Sequence, residues 1–207
     1  MRLREQNPKE TFMAKNTVRR TARAAAILGT ALASALWGFT GPAQAAEVLD
    51  GVHYLIKPDH ARGTMCLDVA NQSTALGADV IQATCWNGWN QQWRIERVAG
   101  DYFVIRARHS GKCLDVAYAS YSHGADVIQA DCRGTTNQQW RFMVETNGYA
   151  QVVPGGKPQV GQLVQIRPRH SNKCLDVADL SIAHGANVLQ GTCWNGPNQL
   201  WHFQVPR

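Results

Sequence analysis

The chain has 207 residues, with 21 Lys and Arg against 15 Asp and Glu, a formal charge of +6 at pH 7, and 17% charged and 8% aromatic residues. That composition suits a folded domain and excludes a disordered polyelectrolyte. Seven basic and two acidic residues fall before residue 46, leaving fourteen basic and thirteen acidic residues in the rest, so the net charge gives no support to a nucleic-acid-binding surface on the folded part.

The first 45 residues read as an export signal. From Met13 a basic stretch, MAKNTVRRTAR, precedes the apolar and small residues AAAILGTALASALWGFTG and then Ala43-Gln44-Ala45. This is the order of basic region, apolar region and A-x-A cleavage site in a secretory signal peptide. Residues 1–45 are therefore expected to be removed, with Met13 as an alternative start, and the protein is expected to be extracellular. A single transmembrane anchor is the competing reading. Gly29, Gly38, Gly41-Pro42 and the cleavage site disfavour it, so no membrane insertion is expected. Arg19-Arg20 could belong to a twin-arginine signal, but Thr21-Ala22 lacks the apolar residues such a signal carries, which favours general secretion.

Past residue 45 the chain repeats itself three times, over about 50–97, 98–144 and 160–207. The conserved part of each unit begins at a histidine: HARGTMCLDVANQSTALGADVIQATCWNGWNQQWRI from His60, HSGKCLDVAYASYSHGADVIQADCRGTTNQQWRF from His109, and HSNKCLDVADLSIAHGANVLQGTCWNGPNQLWHF from His170. Each pair of cysteines is 19 residues apart, and Asp68 to Gln91, Asp115 to Gln138 and Asp176 to Gln199 are each 23 apart. A short alternating stretch precedes each unit, YLIKPDH (54–60), FVIRARH (103–109) and VQIRPRH (164–170). With the Cys-Leu-Asp-Val and Asp/Asn-Val-Ile/Leu-Gln segments, these read as strands between Gly, Ser and Asn turns, and no segment keeps a helical period. The first two Cys-Leu-Asp-Val motifs are 47 residues apart and the next two 61 apart. The excess lies near Gly148 to Gly161, around Pro154-Gly155-Gly156-Lys157-Pro158, and reads as a longer hairpin or loop.

A unit of this length cannot bury its apolar side alone, whereas three around a pseudo-threefold axis can. The expected shared core is Leu67, Val69, Val80, Leu114, Val116, Val127, Leu175, Val177 and Val188, with Trp93, Trp140 and Trp201. All six cysteines follow the export signal, two per repeat. Repeat symmetry selects the disulfides Cys66–Cys85, Cys113–Cys132 and Cys174–Cys193 from fifteen possible pairings. Zinc binding would need clustered Cys-x-x-Cys and nearby His, so no metal or other cofactor is expected.

At the repeated Gln-x-Trp, here Gln91-Gln92-Trp93, Gln138-Gln139-Trp140 and Gln199-Leu200-Trp201, tied at constant offset to Cys-Leu-Asp-Val, the sequence resembles the ricin B-type lectins. That family includes the carbohydrate-binding modules of many bacterial glycosidases, and the resemblance covers about residues 48 to 207. It implies an all-β fold, a β-trefoil of twelve strands with six in a barrel and six capping it, and one sugar pocket per repeat. A sugar presents vicinal hydroxyls that donate and accept, so a carboxylate beside an amide is suitable chemistry. Asp68 with Asn90, Asp115 with Asn137 and Asp176 with Asn198 supply that pair. The resemblance gives Gln91, Gln138 and Gln199 the role of orienting the Asp, and places Trp93, Trp140 and Trp201 in the core. The Asp residues could instead cap turns through backbone N–H groups. His60, His109 and His170 suggest a shared turn contact, and His123 and His184 read as exposed loop residues.

Family sites usually carry an aromatic two residues before the second cysteine. Here those positions hold Ala83, Ala130 and Gly191. Replacement stacking rings are sought in Trp86, Trp89, Trp194, Tyr118 and Tyr121. Arg133 stands where the outer repeats have Trp86 and Trp194, so the middle pocket is expected to differ and to favour an acidic or more polar sugar. The function this implies is a secreted, non-catalytic lectin. It would engage glycans or polysaccharides of galactose or xylose/arabinose type through up to three weak sites, with any enzymatic activity residing in a separate secreted glycosidase. One Asp per repeat does not make the opposed carboxylate pair of a glycosidase. The alternative is a trefoil with degenerate pockets that binds a protein, as an inhibitor or toxin-like factor, through the loop at Pro154 to Val160.

Overall fold

The computed structural model describes residues 45–207. Apart from Ala45, the expected export signal lies outside the described residues. Each repeat supplies four strands: β1 His53–Pro58, β2 Met65–Val69, β3 Val80–Thr84 and β4 Gln92–Ala99; β5 Tyr102–Ala107, β6 Cys113–Val116, β7 Ala125–Ala130 and β8 Trp140–Thr146; then, after β9 Tyr149–Val152, β10 Gln165–Pro168, β11 Cys174–Val177, β12 Val188–Gly191 and β13 Trp201–Gln204. Where the sequence suggested strands running on to His60, His109 and His170, they stop at Pro58, Ala107 and Pro168, and each histidine lies in the turn that follows.

The first and last strands of the repeats close a barrel. β1 pairs with β13 and β4, β4 with β5, β5 with β8 and β8 with β10, while an antiparallel bridge from Val164 to Trp201 closes the ring. The middle strands form three hairpins, β2–β3, β6–β7 and β11–β12. These join one another through Asp79↔Ile128, Leu189↔Asp126 and Ile81↔Asn187, so the cap also closes on itself. The architecture is the all-β trefoil.

Twelve strands belong to this plan, and the thirteenth, β9, comes from the insert. It pairs with β8 through Thr146↔Tyr149, leaving Asn147 and Gly148 as a two-residue turn with φ of 53° and 78°. Asn-Gly is the dipeptide that accepts two consecutive positive φ values, so the insert begins as a hairpin for a local reason. The expected hairpin or loop is found.

Period-two alternation explains the core. In each Cys-Leu-Asp-Val strand Leu and Val face inward while Cys and Asp face the opposite side. Every residue of the expected core is fully buried. Trp93, Trp140 and Trp201 donate their indole N–H to the carbonyls of Leu67, Leu114 and Leu175 at 2.9, 3.0 and 3.0 Å, tying the end of each repeat to its Asp strand. The three expected disulfides are formed, with Cα separations of 5.2, 5.1 and 5.2 Å.

Candidate functional site

The face of each Asp strand opposite the core carries the candidate chemistry. In the first repeat Asn90 Nδ2 donates to Asp68 Oδ1 at 2.9 Å and Gln91 Nε2 to Oδ2 at 2.8 Å. Asn137 and Gln138 hold Asp115 in the same way at 2.8 and 2.6 Å, and Asn198 and Gln199 hold Asp176 at 2.7 and 2.5 Å. Thus each carboxylate is held by side-chain amides. Burial pushes all three Asp carboxyls above the usual range, while the bonds from Gln and Asn pull the other way.

The amides are committed on both hydrogens. The Asn Nδ2 groups also donate to the carbonyls of Val69, Val116 and Val177. The Gln Nε2 groups also donate to Thr84, Asp131 and Thr192, and their Oε1 atoms accept from the backbone of Trp86, Arg133 and Trp194. Each Gln therefore fastens the loop after the second cysteine to the Asp. What remains on the constellation is acceptor capacity: the second lone pairs of the Asp oxygens and the Asn Oδ1 atoms, of which Asn90 Oδ1 and Asn198 Oδ1 are buried without a partner.

The loop after each Asp strand carries two consecutive non-glycine residues at positive φ: Asn71 and Gln72, Tyr118 and Ala119, Asp179 and Leu180. Such backbone persists only where its surroundings hold it. Here the neighbouring repeat does so. Ser73 O accepts from His109 and Gln129 at 2.8 and 2.7 Å, Ser120 O from His170 and Gln190 at 2.8 and 2.6 Å, and Ser181 O from His60 and Gln82 at 2.8 and 2.6 Å. The histidines thus share a turn contact, but each grips another repeat's loop, in a cycle that closes the threefold.

These strained loops border three cavities. The first, about 210 Å³, is lined by Asp68, Asn90, Asn71, Gln72, Ala83, Trp86 and His184. The third, about 310 Å³, is lined by Asp176, Asn198, Asp179, Leu180, Trp194 and His123. The middle one is the largest at about 670 Å³, and Asp115, Asn137, Gln138, Tyr118, Arg133 and Leu76 line it with Asp79, Asp126 and Asp131. The expectation of one Asp per pocket fails for the second and third repeats: Asp79 from the first repeat's hairpin and Asp126 and Asp131 from the second repeat's own hairpin join the middle cavity, and Asp179 on the strained loop joins the third. Arg133 shares this lining with four Asp residues, so the middle cavity lacks the positive excess that an acidic sugar would require. Of those four, Asp131 is paired with Lys112 at 2.6 Å and Asp126 accepts from Asn187 at 2.9 Å.

Trp86, Trp194 and Tyr118 line cavities and are largely exposed, at 55%, 58% and 101%. Trp89 and Tyr121 fall outside these linings: Arg108 stacks 4.6 Å from the Trp89 ring centroid, and Tyr121 meets His170 edge-on at 5.1 Å. A Cβ on Gly88 would lie 2.2 Å from the Trp86 ring, and one on Gly196 2.0 Å from Trp194. The middle repeat has Thr135 at that position and Arg133 in place of the ring, so ring and glycine change together. A Cβ on Gly191 would lie 2.4 Å from Asp176 Oδ2, so even a methyl group crowds the carboxylate there. Sequence reading missed Leu76, His123 and His184 as lining residues, because each belongs to the repeat before the cavity it enters in the cyclic order.

A family model described as ricin-type beta-trefoil lectin domain-like matches residues 34–130, 89–163 and 136–207. Among solved structures, the designed threefold-symmetric protein ThreeFoil is 40% identical, with a TM-score of 0.64 over 73% of this chain and 97% of that one. An exo-β-1,3-galactanase from Clostridium thermocellum is 28% identical, with a TM-score of 0.65 over 76% of this chain but only 31% of the enzyme. The Macrolepiota procera ricin B-like lectin, solved with lactose, is 17% identical and shares the fold, with a TM-score of 0.58 over 77% of this chain and 99% of that one. No curated protein sequence matches the chain.

Proposed function

The chain belongs to the ricin-type β-trefoil lectin domain-like family, and on that premise we propose that it is a secreted, non-catalytic carbohydrate-binding protein. One observation carries the reading: the same Asp–Asn–Gln constellation stands at a cavity in all three repeats, with its acceptor lone pairs free. Asp68, Asp115 and Asp176 would each accept two sugar hydroxyls, Asn90, Asn137 and Asn198 would accept a further one at Oδ1, and Gln91, Gln138 and Gln199 would hold the carboxylate in place. Trp86 and Trp194 would stack on the apolar sugar face in the outer sites, and Tyr118 in the middle one. Three disulfides accord with an oxidising, extracellular compartment.

Each hydroxyl bond is worth only about 1 kcal/mol net, so single sites of this kind are weak. Three on one rigid body favour a polymer or a dense glycan surface. Similarity to a module-bearing galactanase makes galactans the first targets, with xylans and arabinans next. The test is binding of the full chain to β-1,3-galactan, xylan and arabinan, with galactose, xylose and arabinose as competitors, beside the variant D68N/D115N/D176N. Binding competed by one sugar and lost in the variant is expected. Binding that survives the triple substitution, or none at all from folded protein, overturns the reading and turns attention to a protein partner at Pro154 to Val160.

A further inference from the structure

We infer that the residue at one loop position, His184, His123 or Leu76, is a specificity determinant of the cavity belonging to the adjacent repeat, and that the two histidines bind sugar directly. The inference rests on the reading of the cavities as sugar sites and adds to it which groups a sugar must offer.

The argument begins with donors. A pyranose brings hydroxyls that accept as well as donate, and a ring oxygen that only accepts. The Asp–Asn–Gln constellation has no hydrogen left to give, since both Nδ2 and both Nε2 hydrogens are used within the protein. In the third cavity the remaining lining is Ala178, Asp179, Leu180, Leu189, Trp194 and His123. Among the side chains there, only the imidazole and the indole can donate. Thr192 N–H donates to His123 Nδ1 at 3.0 Å, which makes Nδ1 the acceptor and leaves the proton on Nε2. The first cavity repeats the device with Thr84 N–H and His184 Nδ1 at 3.2 Å. Both imidazoles are close enough to Asp176 and Asp68 for a charge on them to bear on those carboxylates. The backbone bond thus fixes the tautomer and leaves Nε2–H as the donor of an imidazole that lines the same cavity as the Asp acceptor.

The middle cavity is the internal control. Its lent residue is Leu76, and Asp131 holds the chain position of Thr84 and Thr192. An aliphatic side chain there offers apolar surface, which fits a sugar face carrying an apolar substituent such as an acetamido methyl. The outer cavities would take a bare hydroxyl at that point.

The experiment isolates each site within the full chain: D68N/D115N leaves the third, and D68N/D176N the middle. Galactose, xylose and N-acetylgalactosamine are titrated and followed by NMR. His123→Leu in the third-site chain should weaken galactose or xylose by about tenfold, the loss of one hydrogen bond. Sugar should also shift the His123 Nε2 resonance in the parent while Nδ1 holds, which a merely structural histidine would not show. Leu76→His in the middle-site chain should lower the preference for N-acetylgalactosamine over galactose. Affinity within twofold after His123→Leu, with Asp176→Asn still abolishing binding, overturns this inference and leaves the carbohydrate reading standing. No response to any of the three sugars at any isolated site overturns both.

Discussion

At the scale of single residues, the buried carboxylates set the pH behaviour. A folded-state pKa above the unfolded value means that the folded chain holds more protons between the two. The stability these Asp groups contribute is therefore full below the unfolded value and is lost as pH rises through the folded one. Acidification through that window protonates the carboxylates proposed to accept sugar hydroxyls without unfolding the chain on their account. Glycan binding should fall with a midpoint above the ordinary Asp value of about 3.9, with near-UV circular dichroism unchanged; a midpoint at or below it would contradict the burial argument. Gly196→Ala probes another single atom. The added methyl must displace the Trp194 ring, so tryptophan fluorescence and affinity at the third site should change.

Among elements, the loops after the Asp strands depend on their neighbours. Gln129, on β7 of the second repeat and itself fully buried, donates to Ser73 O at 2.7 Å and Ala75 O at 2.8 Å and accepts from Ser110 Oγ at 2.7 Å. Gln129→Ala removes these bonds and leaves His109 as the remaining side-chain tie on Ser73 O, at a cost of about 1–3 kcal/mol. Amide exchange should then rise in the first repeat's loop, residues 70 to 77. Exchange confined to the second repeat would refute the interlock. The hairpins themselves were legible in sequence because alternation and Asn-Gly are local signals. The grip of His109 on Ser73 was not, since a residue's distance along the chain says nothing of which repeat it will face.

For the whole molecule, the proposed three sites on one barrel would make polymer binding more sensitive than monosaccharide binding. Asp176→Asn should leave sugar affinity at the first two sites unchanged and yet reduce retention on polysaccharide by more than one third, because effective concentration multiplies the affinities of linked sites. Equal proportional losses in both assays would mean that the sites act singly. The covalent frame is distributed likewise. Replacing Cys113 and Cys132 by Ala removes a 19-residue closure worth about 3 kcal/mol. Thermal denaturation should show one cooperative transition at lower temperature, since all three repeats share one core.

The sequence by itself determined the threefold repeat, the strands, the disulfide pairs and the Asp–Asn–Gln constellations. These rest on short-range periodicity and on constant offsets within a repeat, and in the structure each constellation is assembled from one repeat's own residues. Tertiary structure alone decided the composition of the cavities. Trp86 and Trp194 enter them while Trp89 lies under Arg108, although Trp86 and Trp89 share one loop. Leu76, His123 and His184 enter the cavity of an adjacent repeat, and Asp79 of the first repeat joins the lining of the middle cavity beside the second repeat's Arg133. Those outcomes follow from the cyclic order in which the hairpins close around the axis. That order is a property of packing three units together, and no residue pattern within one unit encodes it.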